Sequence, residues 1–139
     1  MSIHPTCCYL LARQDPDQLE WAVSEHLVEL AELVHAAGME PVGSRVLRRA
    51  AVDARTFYGR GQVEEAAREA KAALATLLVC DDELTGGQVH AIQKTTGMGV
   101  LDRTGLILAI FEQRARSQEA KVQVELARCE YELPRLKGA

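Results

Sequence analysis

No G-x-x-x-x-G-K-[ST] sequence occurs anywhere in the 139 residues. The chain therefore carries no P-loop and cannot by itself be a GTPase or ATPase of that class. G-x-S-x-G is absent too, and no cysteine stands in an evident electropositive setting beside a histidine, so nucleophilic catalysis finds little support. The four cysteines, Cys7, Cys8, Cys80 and Cys129, form no C-x-x-C pair and lie in apolar stretches. They read as reduced, buried thiols rather than disulfides or ligands. His4, His26, His35 and His90 are scattered without ligand spacing, so no metal site is expected. The longest N-terminal apolar run, residues 6–12, is too short for a membrane span and has no basic leader. A net charge of −4 excludes a general attraction to nucleic acid, so any such contact must come from a local patch.

What the chain does contain is ordinary for a globular domain: 47% hydrophobic and 26% charged residues, with no internal repeat. At this length it can bury a substantial core. Residues 6–13 read as a strand. Residues 19–34 follow with Leu19, Val23, Leu27, Leu30 and Val34 at steps of four and three, an amphipathic helix that Asp15 would cap, with Pro16 at its first position and Gly38 as its stop. A second strand is expected over 42–49 and a helix over 62–75. The uniformly apolar 76–80 reads as a strand buried on both faces. A helix over 85–96 opens on a Thr85/Gln88 capping box, although Gly86 and Gly87 weaken its first turn. A strand over 98–102 precedes a helix from about Thr104, and a last helix runs over 118–133 and ends at Pro134. The alternation predicts an α/β fold: a four-stranded, mostly parallel sheet flanked by helices, with a long C-terminal helical arm. The expected division is an α/β part over 1–116 and an arm over 117–139.

Two stretches are candidates for chemistry. Residues 44–61, SRVLRRAAVDARTFYGRG, hold Arg45, Arg48, Arg49, Arg55 and Arg60 against the single acid Asp53. Arginine forks match phosphate oxygens, Phe57 and Tyr58 offer stacking surfaces, and Gly59 and Gly61 precede a helix whose N-terminus favours negative charge. This reads as a phosphate-contacting loop, most naturally for RNA. The competing reading is a solvated, flexible loop whose arginines pair with Glu64, Glu65 and Glu69. Asp81, Asp82 and Glu83 follow a strand, at the sheet edge where ligands bind in open α/β folds. Without an accompanying nucleophile or phosphate loop, complementarity to a helix N-terminus explains them better.

TFYGRGQVEE (56–65), VCDDELTGGQ (79–88) and VLDRTGLILAIFEQRARSQEAKVQVELARCEYELPRL (100–136) resemble the N-terminal domain of the HflX family of GTPases, over most of the chain from about residue 19. The resemblance implies a cytoplasmic, translation-associated protein. HflX proteins associate with the large ribosomal subunit and split stalled ribosomes, notably in the stress response. Their architecture is an α/β domain, a helical hairpin, and a G domain that holds GTP and Mg. The resemblance further implies contact between this region and ribosomal RNA, modulation of GTP hydrolysis, and an ATP-dependent activity in some members. Carried to this chain, it implies an RNA-binding and regulatory module without its own catalytic residues. The arginine loop is its contact surface, and Arg114, Arg116 and Lys121 form a second patch. A slow ATP site near residues 58–61 and 81–83 is the enzymatic alternative.

Val122, Leu126, Cys129, Leu133 and Leu136 form a further stripe at alternating steps of four and three. A second stripe, Val124, Ala127 and Tyr131, widens it. In the family the partner of this helix is the returning arm of the hairpin, and here Leu136 is followed only by Lys137, Gly138 and Ala139. The expectations are a short gene product or an excised domain, a homodimer through the C-terminal helix, and regulation of a full-length HflX by the unpaired helix.

Overall fold

The computed structural model of the chain describes residues 5–136. Its centre is built from the runs that carry no polar alternation. Strand β1 (Cys7–Gln14) lies between β2 (Glu40–Arg48) and β3 (Leu77–Cys80), and β4 (Gly99–Leu101) pairs with β3, giving a sheet of order β2-β1-β3-β4 with every pairing parallel. Parallel strands need helical crossovers, and these cover both faces. Helices α1 (Glu20–Ala36) and α4 (Arg103–Arg114) bury Leu30, Val34, Leu106 and Ile110 against Cys8, Leu10 and Val79. Helices α2 (Arg60–Ala72) and α3 (Gly86–Thr96) bury Val63, Ala66, Ala70 and Ile92 against Tyr9, Leu11, Leu78 and Cys80. The odd and even positions of β1 thus serve two different cores, as a period of two requires. The expected fold class is the one observed.

Helix boundaries carry the differences. Asp15 does not cap α1: its carboxylate accepts the N–H of Asp17 at 3.1 Å and its carbonyl that of Gln18 at 2.9 Å, closing a turn before the helix. Helix α1 then starts at Glu20 behind Leu19, which supplies no side-chain cap. The glycine stop is present, with Gly38 at φ +78° just past the last turn. The Thr85/Gln88 capping box forms as expected, with bonds of 3.1 and 2.9 Å.

Helix α5 (Gln118–Leu136) is the larger correction, because it runs through Pro134 instead of ending there. Proline forfeits the bond from its own N–H to the Glu130 carbonyl and its ring crowds that carbonyl, a cost confined here to the last turn. The last turn gains other tethers, since Arg135 donates to the Tyr131 carbonyl at 2.8 Å and to the Leu84 carbonyl at 2.9 Å. The helix turns back at Ser117, whose hydroxyl accepts the Ala120 N–H at 3.0 Å, and packs on α3 and α4. The face it lays down is the second stripe: Val124, Ala127 and Tyr131 are half-buried. Val122, Leu126 and Leu133 remain 58%, 58% and 55% exposed, and Cys129 is exposed as well. Of the four thiols expected to be buried, Cys8 and Cys80 are, Cys7 is half-buried and Cys129 is not. The side chain of Leu136 lies outside the described residues.

Candidate nucleic-acid interface

The arginine stretch is only in part the loop expected from the sequence: Arg45 and Arg48 lie in β2, Arg60 opens α2, and the residues between them form a built turn. Asp53 organises it. One carboxylate oxygen accepts the N–H groups of Arg55 and Thr56 at 2.8 and 2.9 Å, and the backbones of Asp53 and Phe57 exchange two hydrogen bonds of 2.9 Å. Those N–H donors, Thr56 first and then Arg55, hold the Asp53 carboxyl below its ordinary range. Phe57 closes the turn at φ +64°, a conformation that costs a non-glycine residue free energy and persists only where surroundings over-determine it. Gln88 reaches across from α3 to the Asp53 carbonyl at 3.4 Å.

Tyr58 shows what fixes the turn to the core. Its ring is fully buried, and its hydroxyl donates to Asp82 at 2.9 Å. It offers no stacking surface, contrary to the expectation for Phe57 and Tyr58 together; Phe57 is half-buried and meets the Tyr58 ring edge-on at 4.9 Å. Burial raises the Tyr58 hydroxyl well above its ordinary value and pushes the neighbouring Cys80 thiol up to about 12. Gly59 is buried and its N–H donates to Gln62 at 2.9 Å. A Cβ there would lie 2.7 Å from the Arg49 guanidinium, so glycine is what lets that side chain cross the turn. Around Gly61 a Cβ would meet nothing.

The arginines divide by role. Arg45 braces β2 against α2 through Glu65 at 3.1 Å and Glu69 at 2.7 Å, two of the pairings anticipated under the competing reading. Tyr9 donates to the same Glu69 at 2.5 Å, which with Arg45 holds that carboxyl low. Arg49 bonds the Ala51 carbonyl at 2.8 Å. Arg48 is exposed, with Glu20 at 3.6 Å, and Arg60 is exposed, with Glu64 at 3.0 Å. Exposed pairs of this kind are weak enough to exchange one anion for another. Arg55 is exposed, with its backbone rather than its guanidinium tied down.

Residues distant in sequence complete the surface. A cavity of about 360 Å³ is lined by Asp53, Arg55, Thr56, Arg60, Lys94 and Thr95. Arg60 and Thr95 also line a groove of about 310 Å³ between α2 and α3 that includes Glu64, Arg68 and Lys71. Lys71 donates to the Thr96 carbonyl at 2.6 Å, so it stands fixed at the groove wall. Five cations thus line two adjoining depressions that share Arg60 and Thr95, against the carboxylates of Asp53 and Glu64. Arg68, Lys71 and Lys94 were not singled out from the sequence; only the packing of α2 beside α3 brings them to the turn.

Arg114, Arg116 and Lys121 are exposed but lie elsewhere. Gln113 donates to the carbonyl of Ala37, at the end of α1, so the α4–α5 turn sits at the opposite edge of the sheet. The acidic cluster is likewise accounted for. Asp81 pairs with Arg103 at 3.0 Å, Asp82 accepts from Tyr58 and the Arg13 N–H, and Glu83 accepts from Thr104 at 2.7 Å. No group of three metal-ligating side chains occurs among the described residues, and no described helix is long and apolar enough to cross a membrane.

Residues 24–112 match the family model described as "GTP-binding GTPase N-terminal". The chain belongs to that family. Residues 114–139 match a second model, "GTP-binding GTPase Middle Region". The resemblance to the N-terminal region of HflX is borne out by relatives: the "GTPase HflX" of Caldanaerobacter subterraneus is 41% identical over 114 residues, covering 82% of this chain and 27% of that protein. The "GTPase HflX" of Escherichia coli is 39% identical over 112 residues, covering 81% of this chain and 26% of that protein. The chain thus spans about a quarter of the length of these HflX relatives. A GTP-binding protein from Sulfolobus solfataricus, solved in complex with GDP, matches with a TM-score of 0.72 and 25% identity, over 95% of this chain and 38% of that one. A second GDP complex, of SsGBP, matches with a TM-score of 0.76 at 24% identity, over 96% of this chain and 37% of the other, and shares the fold.

Proposed function

We propose that this chain is the RNA-contacting, regulatory N-terminal module of an HflX-type, ribosome-associated GTPase, and that it docks on the RNA of the large ribosomal subunit. The observation that supports the reading is the basic depression of Arg55, Arg60, Arg68, Lys71 and Lys94 on a rigid turn-and-helix platform, in a protein whose net charge is negative. Phosphate contacts of this kind need fixed cations rather than base-reading groups, and they suit a folded RNA recognised by its backbone. Arg49 stands beside the depression, 3.9 Å from Asp53, whereas Arg48 lies on the α1 side at Glu20, and Arg114, Arg116 and Lys121 supply a separate contact at the far edge of the sheet. Chemistry on nucleotides belongs, on this reading, to a G domain with its GTP and Mg, and this module has no cofactor of its own.

Binding to isolated large subunits at graded salt tests it. With about four phosphates neutralised, affinity falls roughly 100-fold between 50 and 200 mM salt. Affinity that does not change with salt would rule the electrostatic contact out.

A further inference from the structure

We propose that α5 is a detachable strap, latched to the body of the domain by the buried carboxylate of Asp102 and able to open without unfolding the sheet. Asp102 is fully buried at the end of β4 and is gripped from two sides. The body supplies two backbone donors, the N–H of Leu84 at 3.1 Å and that of Gly105 at 3.0 Å. Helix α5 supplies two side-chain donors, the Tyr131 hydroxyl at 2.5 Å and the Arg135 guanidinium at 3.1 Å. Arg135 stacks on the Tyr131 ring, 3.6 Å from its centroid, so the two act as one pin. Gly105 makes room for the pin, because a Cβ there would come within 2.6 Å of the Tyr131 oxygen.

Three features make this attachment reversible. It is mainly polar: beyond the pin, Arg128 pairs with Glu112, while the apolar contribution comes from half-buried Ala120, Val124, Ala127 and the Tyr131 ring. Two surface clefts of about 290 and 170 Å³ flank Tyr131, so water reaches the pin from both sides. Asp102 is also satisfied in both states. If α5 leaves, the carboxylate keeps the Leu84 and Gly105 donors and water replaces the other two, so no charge is left buried and unpaired.

Opening has a defined consequence. Arg135 also holds the Leu84 carbonyl, and Leu84 directly follows Asp81, Asp82 and Glu83 at the sheet edge. The position of α5 is therefore felt by that loop. With Pro134 removing one backbone bond, the last turn depends on the same Arg135 and frays once the pin is withdrawn.

Hydrogen exchange on the full chain tests the strap, with Tyr131→Phe and Arg135→Gln as variants and Gln123→Ala, an exposed α5 position outside both stripes, as control. The expected result is exchange in α5 through a local opening, faster than in β1 and β3, accelerated about tenfold by either pin variant and unchanged by the control, with β1 and β3 unaffected. Exchange of α5 only in step with β1 and β3, or pin variants that leave α5 unchanged or accelerate the whole chain equally, would overturn it.

Discussion

Replacing Tyr58 by phenylalanine removes one oxygen and keeps the ring, which separates two roles for this side chain. The lost group is a buried donor to Asp82. Asp82 would keep the Arg13 N–H at 3.0 Å but lose its second donor in a half-buried site. That loss costs about 1–2 kcal/mol, or roughly 4–8 °C in Tm for a domain of this size. Burial is the main cause that raises the Asp82 carboxyl above the usual aspartate value, and the Tyr58 hydroxyl opposes it. The fold therefore penalises ionised Asp82 above its folded pKa, and the penalty is relieved as pH falls towards about 4. The cost of Tyr58→Phe should be largest near neutral pH and shrink on acidification. Chemical denaturation at a series of pH values reads both size and sign. Truncation to alanine should cost about 3–5 kcal/mol through the cavity it leaves. If Tyr58→Phe has no effect at pH 7, or if Tyr58→Ala abolishes RNA binding without loss of stability, then Tyr58 is a surface stacking residue and the rigid-turn argument fails.

Further outcomes are expected elsewhere in the molecule. Gly43→Ala should destabilise the domain by about 1–3 kcal/mol, because its Cβ would lie 2.7 Å from the buried Tyr9 ring; an unchanged denaturation midpoint would contradict this. The exposed Val122, Leu126 and Leu133 stripe should drive pairing of two copies, giving concentration-dependent sedimentation that Leu126→Glu abolishes. A monomer at high micromolar concentration would end that proposal. Isothermal titration with ATP or GTP should give no binding heat, since the acids at residues 81–83 are all engaged within the domain. A saturable heat with either nucleotide would favour the enzymatic alternative.

The fold was readable because each element announces itself over its own length: Leu77–Cys80 by uniform apolarity, α1 by its stripe, α3 by its capping box. Boundaries were harder to read. Asp15 has the composition of a cap yet closes a turn, because local side-chain bonds compete with helix initiation. Pro134 looks like a stop, but tertiary tethers from Arg135 carry the helix past it. Helix α5 offers two apolar stripes, and spacing alone favoured the longer one. Which stripe packs is decided by Asp102, whose burial draws in Tyr131 and Arg135. The basic depression was legible only in half. Arg55 and Arg60 stand in an evidently cationic stretch, whereas Lys94 lies 34 residues beyond Arg60 and joins it only through the packing of α3 beside α2. The same packing shows Arg45 to be a strut, a role that sequence alone does not separate from phosphate binding.

The most direct test of the central claim is co-sedimentation of this chain with purified large ribosomal subunits, comparing the wild type with the Arg60→Glu/Lys94→Glu double variant at one moderate salt concentration. The account predicts that the wild type pellets with the subunit and that the variant, folded by circular dichroism, is left in the supernatant. Equal pelleting of the two proteins, or a wild type that never pellets, would contradict it.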